Sequence, residues 1–237
     1  MAVVTVQIGI DLGQKIDPTG ICVAELERRG ADVHYVIRHL ERILGMSYPD
    51  QVERIVEIYR GVGQKGHQAK LFLDATGLGA PILDELRKRR LPLVGVFLTG
   101  SERAVWEADN TILRLGKSQM VSRLQVLLAY NRVHLPQTDE AKATVDELLN
   151  YEIRVNDLAH AQFGAFKVGK HDDLATALGL AVWHEPKPKH VHGSVAMIGV
   201  KRQDRERRHP WERGRVRDKF AERGGTSQAG GRDEQLG

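Results

Sequence analysis

Val4, Val6, Ile8 and Ile10 alternate with polar or small residues, which makes residues 3–12 a strand with one apolar face, and that strand stops at Asp11-Leu12-Gly13. Asp17-Pro18-Thr19-Gly20 has the composition of a turn. Ile21 to Leu26 reads as the returning strand, Glu27 to Gly30 as a second turn, and Val33 to Leu40 as a third strand. The chain therefore begins as a meander. Tyr48 to Tyr59 then carries Val52, Ile55, Val56 and Tyr59 at helical spacing behind a capping Ser47.

Two short apolar runs, Leu71 to Ala75 and Leu93 to Leu98, read as buried strands separated by a helix over Pro81 to Arg89. Residues 99–113 show no period and read as a loop. Lys117 to Asn131 is an amphipathic helix with Met120, Leu124, Leu127 and Leu128 on one side. After it come a short extended piece at Val133 to Leu135 and a helix over Glu140 to Leu149. Tyr151 to Val168 reads as a hairpin. The final helix is His171 to Trp183, with Leu174, Ala177, Leu178 and Ala181 buried. This order predicts an α/β fold, a mixed five-stranded sheet flanked by helices, with an added β-hairpin. Cys22 reads as a small strand residue, and Trp183 and Tyr130 as core.

Glu185-Pro186-Lys187-Pro188-Lys189 reads as a linker ending a domain over 1–184. Residues 185–237 hold 13 Lys and Arg against 8 Asp and Glu, and read as a basic, disordered tail in which Trp211 stands among arginines. No apolar run approaches the roughly 18–20 residues of a membrane span, and no secretion signal is evident. One cysteine excludes an internal disulfide and a cysteine-based zinc site. A cytoplasmic protein, in the host cell if viral, is expected.

Chemistry concentrates at three places. Asp11 ends the first strand and Asp74 ends the fourth, in Leu73-Asp74-Ala75-Thr76-Gly77. Asp172 and Asp173 open the last helix. Each stands where an apolar run stops, at the rim of a core, where several carboxylates cannot all stay ionised together without a cation. Hard divalent metals held by carboxylate oxygen resolve that conflict, and two ions about 3.5–4 Å apart suit phosphodiester cleavage. Gly9, Gly13, Gly77 and Gly79 leave room for a close approach of backbone or phosphate. Taken singly, each aspartate also fits a turn or a helix cap, Asp172 most obviously.

Three segments resemble the nuclease domain of the phage large terminase, within the RNase H-like and RuvC-like superfamily. Ile8-Gly9-Ile10-Asp11-Leu12-Gly13 is similar to its first motif, Leu73 to Gly79 with Asp84-Glu85-Leu86 to its second, and Gly169-Lys170-His171-Asp172-Asp173-Leu174-Ala175 to its third. Lys117 to Pro136 is similar to the helix and strand between the last two, and Tyr151 to Val168 to the hairpin beside the active site.

The resemblance implies an RNase H-like domain over 1–184 that cleaves double-stranded DNA with two Mg²⁺ or Mn²⁺ ions. Asp11 would bridge the ions, Asp74 would hold one, and Asp173 with Asp172 the other. Read from the residues themselves, Lys15, Lys167, Lys170 and His171 flank the site as candidate DNA contacts, and Lys117, Arg123 and Arg132 fit either DNA contacts or a solvated helix face. No G-x-x-x-x-G-K-[ST] phosphate loop is found, so DNA translocation would need a separately encoded packaging ATPase, and a portal protein is a possible partner. Other readings stay open: a RuvC-like Holliday junction resolvase, an actin-like ATPase that shares the Ile8 to Gly13 pattern, and a non-catalytic DNA-binding or capsid-adaptor protein.

Overall fold

In the computed structural model of the chain, the described residues are 3–13, 17–77, 79–150, 152–155, 161–164 and 172–186. Residues 187–237, most of the basic tail and Trp211 with it, lie outside them. Strands β1 (Thr5–Asp11), β2 (Thr19–Arg29) and β3 (Asp32–Ile43) form the expected antiparallel meander. Helix α1 (Tyr48–Gln64) starts at Ser47, whose hydroxyl accepts the Asp50 N–H. It returns the chain so that β4 (Gln68–Asp74) lies parallel to β1, on the side away from β2. Helix α2 (Gly79–Lys88) and β5 (Leu93–Thr99) repeat the crossover, with β5 parallel to β4.

The next segment departs from the expected loop. Ala104–Glu107 (β6) and Ile112–Gly116 (β7) pair antiparallel, and β7 runs parallel to β5. Their turn contains Ala108, Asp109 and Asn110, all at positive φ (47°, 54° and 65°), with no glycine to mark it. Both strands are also short, so neither a period nor turn chemistry exposed them. Helix α3 (Lys117–Ala129) leads to the two-residue β8 (Val133–His134), which pairs with β3. The expected five-stranded sheet is thus an eight-stranded mixed sheet, ordered β6-β7-β5-β4-β1-β2-β3-β8. Helix α4 (Asp139–Leu149), the separate antiparallel pair β9 (Glu152–Val155) and β10 (Ala161–Gly164), and helix α5 (Asp173–Ala181) complete the order.

Helices cover both faces of the sheet. On one, Val6, Ile8 and Ile10 of β1 pack with Leu71 and Leu73 of β4, Val52, Ile55 and Val56 of α1, and Leu83 and Leu86 of α2. Each such fully buried side chain contributes about 1.5–3 kcal/mol. On the other face, Cys22, Tyr35 and Ile37 meet Leu124 and Leu127 of α3 and Leu174, Ala177 and Leu178 of α5. Every residue of α5 is buried, as expected of a helix that is apolar nearly all round.

Strand periodicity explains how α5 fits. The residues of β1 that alternate with Val6, Ile8 and Ile10 are Gln7, Gly9 and Asp11, and they face α5. A Cβ on Gly9 would meet the Ala177 carbonyl oxygen at 2.0 Å, and one on Gly20 would meet the Asp173 carbonyl oxygen at 2.4 Å. The helix backbone lies directly on those two glycines.

Tyr130 is a correction. It is 74% exposed rather than core, because it caps the C-terminal end of α3 beyond the packed turns. Trp183 is half-buried against the cluster around Phe72 and Val94, and Cys22 is buried, its thiol pKa pushed up by burial. No helix among the described residues is long and apolar enough to cross a membrane.

Candidate active site

The parallel register pairs Ile10 with Leu73, so Asp11 and Asp74 are the next residues on neighbouring strands and share the face covered by α5. Asp11 pairs across β2 with Gly20, and Gly20 pairs with Arg42 of β3. Helix α5 begins over Gly20, with the Asp173 backbone against it. Two strand ends and one helix start therefore converge, and they carry Asp11, Asp74 and the Asp172-Asp173 pair.

The carboxylates sense one another. Burial pushes the Asp11 pKa well above the usual carboxylate range, and the charges of Asp74, Asp173 and Asp172 raise it further. Burial also raises that of Asp74, against hydrogen bonds from Thr76 that lower it. Lys117, the first residue of α3, favours the ionised form of both. Its position follows from β7 and β4 both running parallel to β5, which puts the start of α3 and the end of β4 at the same end of the strands. Asp173 is buried (8% exposed). Asp172 is the N-cap residue of α5, yet its side chain makes no capping hydrogen bond. The simple capping role for that carboxylate is not realised.

Local scaffolding fixes the two strand ends. The Thr76 N–H donates to Asp74 Oδ1 (2.8 Å), and Thr76 Oγ1 accepts the Leu98 N–H (2.9 Å), tying the loop after β4 to β5. Behind Asp11, the Gly13 N–H donates to Thr19 Oγ1 (2.9 Å), whose hydroxyl donates to Gln51 Oε1 (3.0 Å). Gln51 Nε2 in turn donates to the carbonyls of Met46 and Gly13. Gln51 is buried inside α1, and sequence reasoning missed it: a glutamine at that position looks like any solvent-facing helix residue.

The expected DNA-contacting residues divide. Lys117 stands at the site. Lys15, Lys167, Lys170 and His171 lie outside the described residues. Arg123 and Arg132 are a correction, for both are engaged within the fold. Arg123 donates to the Val182 carbonyl (2.8 Å) and to the Tyr35 hydroxyl (2.8 Å); Arg132 donates to the Val33 carbonyl (2.8 Å) and to Glu185 (2.9 Å). They fasten the chain just past α5 to β3. Among the described residues, no three His, Cys, Asp or Glu side chains stand as a ready-made group that could hold a metal ion. The aspartates are neighbours in charge and in backbone position.

A sequence profile for the family described as the terminase RNase H-like domain matches residues 8–185. The chain belongs to this family. Among solved terminase nucleases, that of the thermophilic phage G20c with bound magnesium is 25% identical. It aligns over 75% of this chain and 80% of its own, with a TM-score of 0.57. The terminase nuclease domain of Thermus phage P74-26 aligns at 24% identity over 75% and 78%, with a TM-score of 0.54. The nuclease domain of the large terminase subunit of bacterial virus Sf6, solved with manganese, shares the fold at 15% identity over 78% and 89%, with a TM-score of 0.51. No curated protein sequence gave a match. Membership of this family agrees with the mixed sheet and its flanking helices.

Proposed function

We propose that this terminase nuclease domain is a metal-dependent endonuclease that hydrolyses phosphodiester bonds of double-stranded DNA, in phage genome packaging. The observation that carries the reading is the convergence of Asp11, Asp74 and Asp172-Asp173 at one sheet end, with the Asp11 carboxyl held well above its ordinary pKa by burial and by its acidic neighbours. The donor chemistry fits hard divalent ions: carboxylate oxygen from all four residues, with the sole thiol, Cys22, buried in the sheet. Two Mg²⁺ or Mn²⁺ ions would supply an activated water and charge stabilisation at the leaving oxygen. That a related G20c nuclease was solved with bound magnesium supports the choice of ion.

The residues then take distinct tasks. Asp11, central between the other acids, would hold both ions. Asp74 would hold one, its second oxygen anchored by the Thr76 N–H. Asp173, with Asp172, would hold the other from the start of α5. Lys117 would steady the acid cluster and face a DNA phosphate. Lys15, Lys167, Lys170 and His171 would add backbone contacts, and the hairpin of β9 and β10 would lie along the duplex. A separately encoded packaging ATPase, acting at a portal protein, would move the DNA.

Supercoiled plasmid incubated with Mn²⁺, Mg²⁺ or EDTA tests the reading. Nicking and linearisation are expected with either ion and none in EDTA, with little sequence preference, and Asp74→Asn should reduce the rate at least about 100-fold. Equal cutting in EDTA would contradict it.

A further inference from the structure

Glu147 of α4 is charged yet buried (7% exposed), and its two oxygens serve different elements. Oε2 accepts the Ala175 N–H (2.8 Å), and Oε1 pairs with Arg42. Ala175 is the third residue of α5 after the N-cap, where an N–H has no carbonyl within its own helix to bond. A carboxylate there also complements the positive end of the helix dipole. Asp172, the N-cap residue, leaves that N–H to Glu147 because its own side chain makes no capping bond. Arg42 stands across from Gly20, one strand over from Asp11. A continuous line of contacts thus runs from β3 through Arg42 and Glu147 to the first turn of α5.

We infer that Glu147 is a positioning residue for the Asp172-Asp173 pair. It fixes how far the first turn of α5 advances toward the sheet, leaving the carboxylate of the N-cap residue available to the site. Arg42 neutralises Glu147, so the cap adds no net negative charge beside four aspartates. The inference rests on the metal-dependent reading of the site. It makes the reach of the side chain, rather than its charge, the decisive property.

Two substitutions separate reach from charge. Glu147→Gln keeps the length and an acceptor oxygen for Ala175; Glu147→Asp keeps the charge and shortens the reach. A third, Thr144→Val, controls for stability, since Thr144 is fully buried on the same helix but, among the described residues, its hydroxyl bonds only the Glu140 carbonyl. For each full-length protein, Mn²⁺ binding is measured by titration calorimetry and thermal unfolding is followed in EDTA. Glu147→Asp is expected to bind Mn²⁺ about tenfold more weakly, in the range typical of residues that orient metal ligands. Glu147→Gln should stay within about twofold of wild type, and Thr144→Val should bind as wild type whatever its loss of Tm. Wild-type affinity in Glu147→Asp, equal weakening in both Glu147 variants, or weakening in Thr144→Val in proportion to its Tm would overturn the inference alone. Absence of Mn²⁺ binding by the wild-type protein would instead overturn the metal-dependent reading, and this inference with it.

Discussion

Asp11→Asn is expected to abolish DNA cleavage while making the metal-free protein more stable. In the folded state the Asp11 carboxyl is buried and faces Asp74, Asp173 and Asp172, so its pKa lies well above the usual carboxylate range. A group raised in this way binds its proton more tightly folded than unfolded. Its contribution is fully present below the unfolded pKa and is lost as pH rises through the folded pKa. An amide of the same shape removes that loss. In EDTA the Tm advantage of Asp11→Asn should therefore be small in the usual carboxylate range, open as pH rises above it, and then level off. Each kcal/mol relieved corresponds to about 2–4 °C in a domain of this size. With Mn²⁺ added, the order should reverse, because only the wild-type protein gains from binding the ion. Cleavage by the variant should fall on the order of 10³-fold, equivalent to about 4 kcal/mol at 1.36 kcal/mol per tenfold. Paired unfolding curves across pH, with and without Mn²⁺, read both effects. A lower Tm for the variant in EDTA at neutral pH would contradict the electrostatic account.

Gly20→Ala is expected to inactivate the site from the opposite side of Asp11. Its methyl group would stand 2.4 Å from the Asp173 carbonyl oxygen and 2.6 Å from the carbonyl carbon. Both are backbone atoms in the first turn of α5, so no side chain can swing aside, and the helix start must lift from β2. Overpacking of this kind costs about 1–3 kcal/mol. The larger effect should be on chemistry, since displacing reacting groups by about 1 Å can cost 10²-fold. At saturating Mn²⁺ and well below its Tm, Gly20→Ala should cleave plasmid about 100-fold more slowly than wild type. Near-normal cleavage would mean that α5 does not need its close seat on β2 to present Asp172 and Asp173.

The acidic positions stand out in sequence because Asp11 and Asp74 end apolar runs and Asp172-Asp173 open one, and a carboxylate at the rim of a core is conspicuous. The meander, α1 and the two crossovers followed from regular alternation and helical spacing. What escaped depends on tertiary context. The strands β6 and β7 are short and joined through Ala108, Asp109 and Asn110 in left-handed conformations that no glycine announced. Gln51 and Glu147 sit in helices where polar residues normally face water. Their burial is decided by Thr19 and by the α5 backbone, which are distant in sequence. Arg123 and Arg132 looked like phosphate contacts for the same reason in reverse. Nothing local shows that carbonyls at the end of α5 and on β3 take up their guanidinium groups.

The most direct measurement is an anomalous difference map from crystals of the protein soaked in Mn²⁺, which locates bound ions without reference to activity. Manganese peaks should lie between Asp11 and Asp74 and between Asp11 and the Asp172-Asp173 turn, and the peak shared with Asp74 should vanish in Asp74→Asn. Well-ordered crystals with no peak among these four aspartates, or with manganese only elsewhere on the surface, would contradict the account.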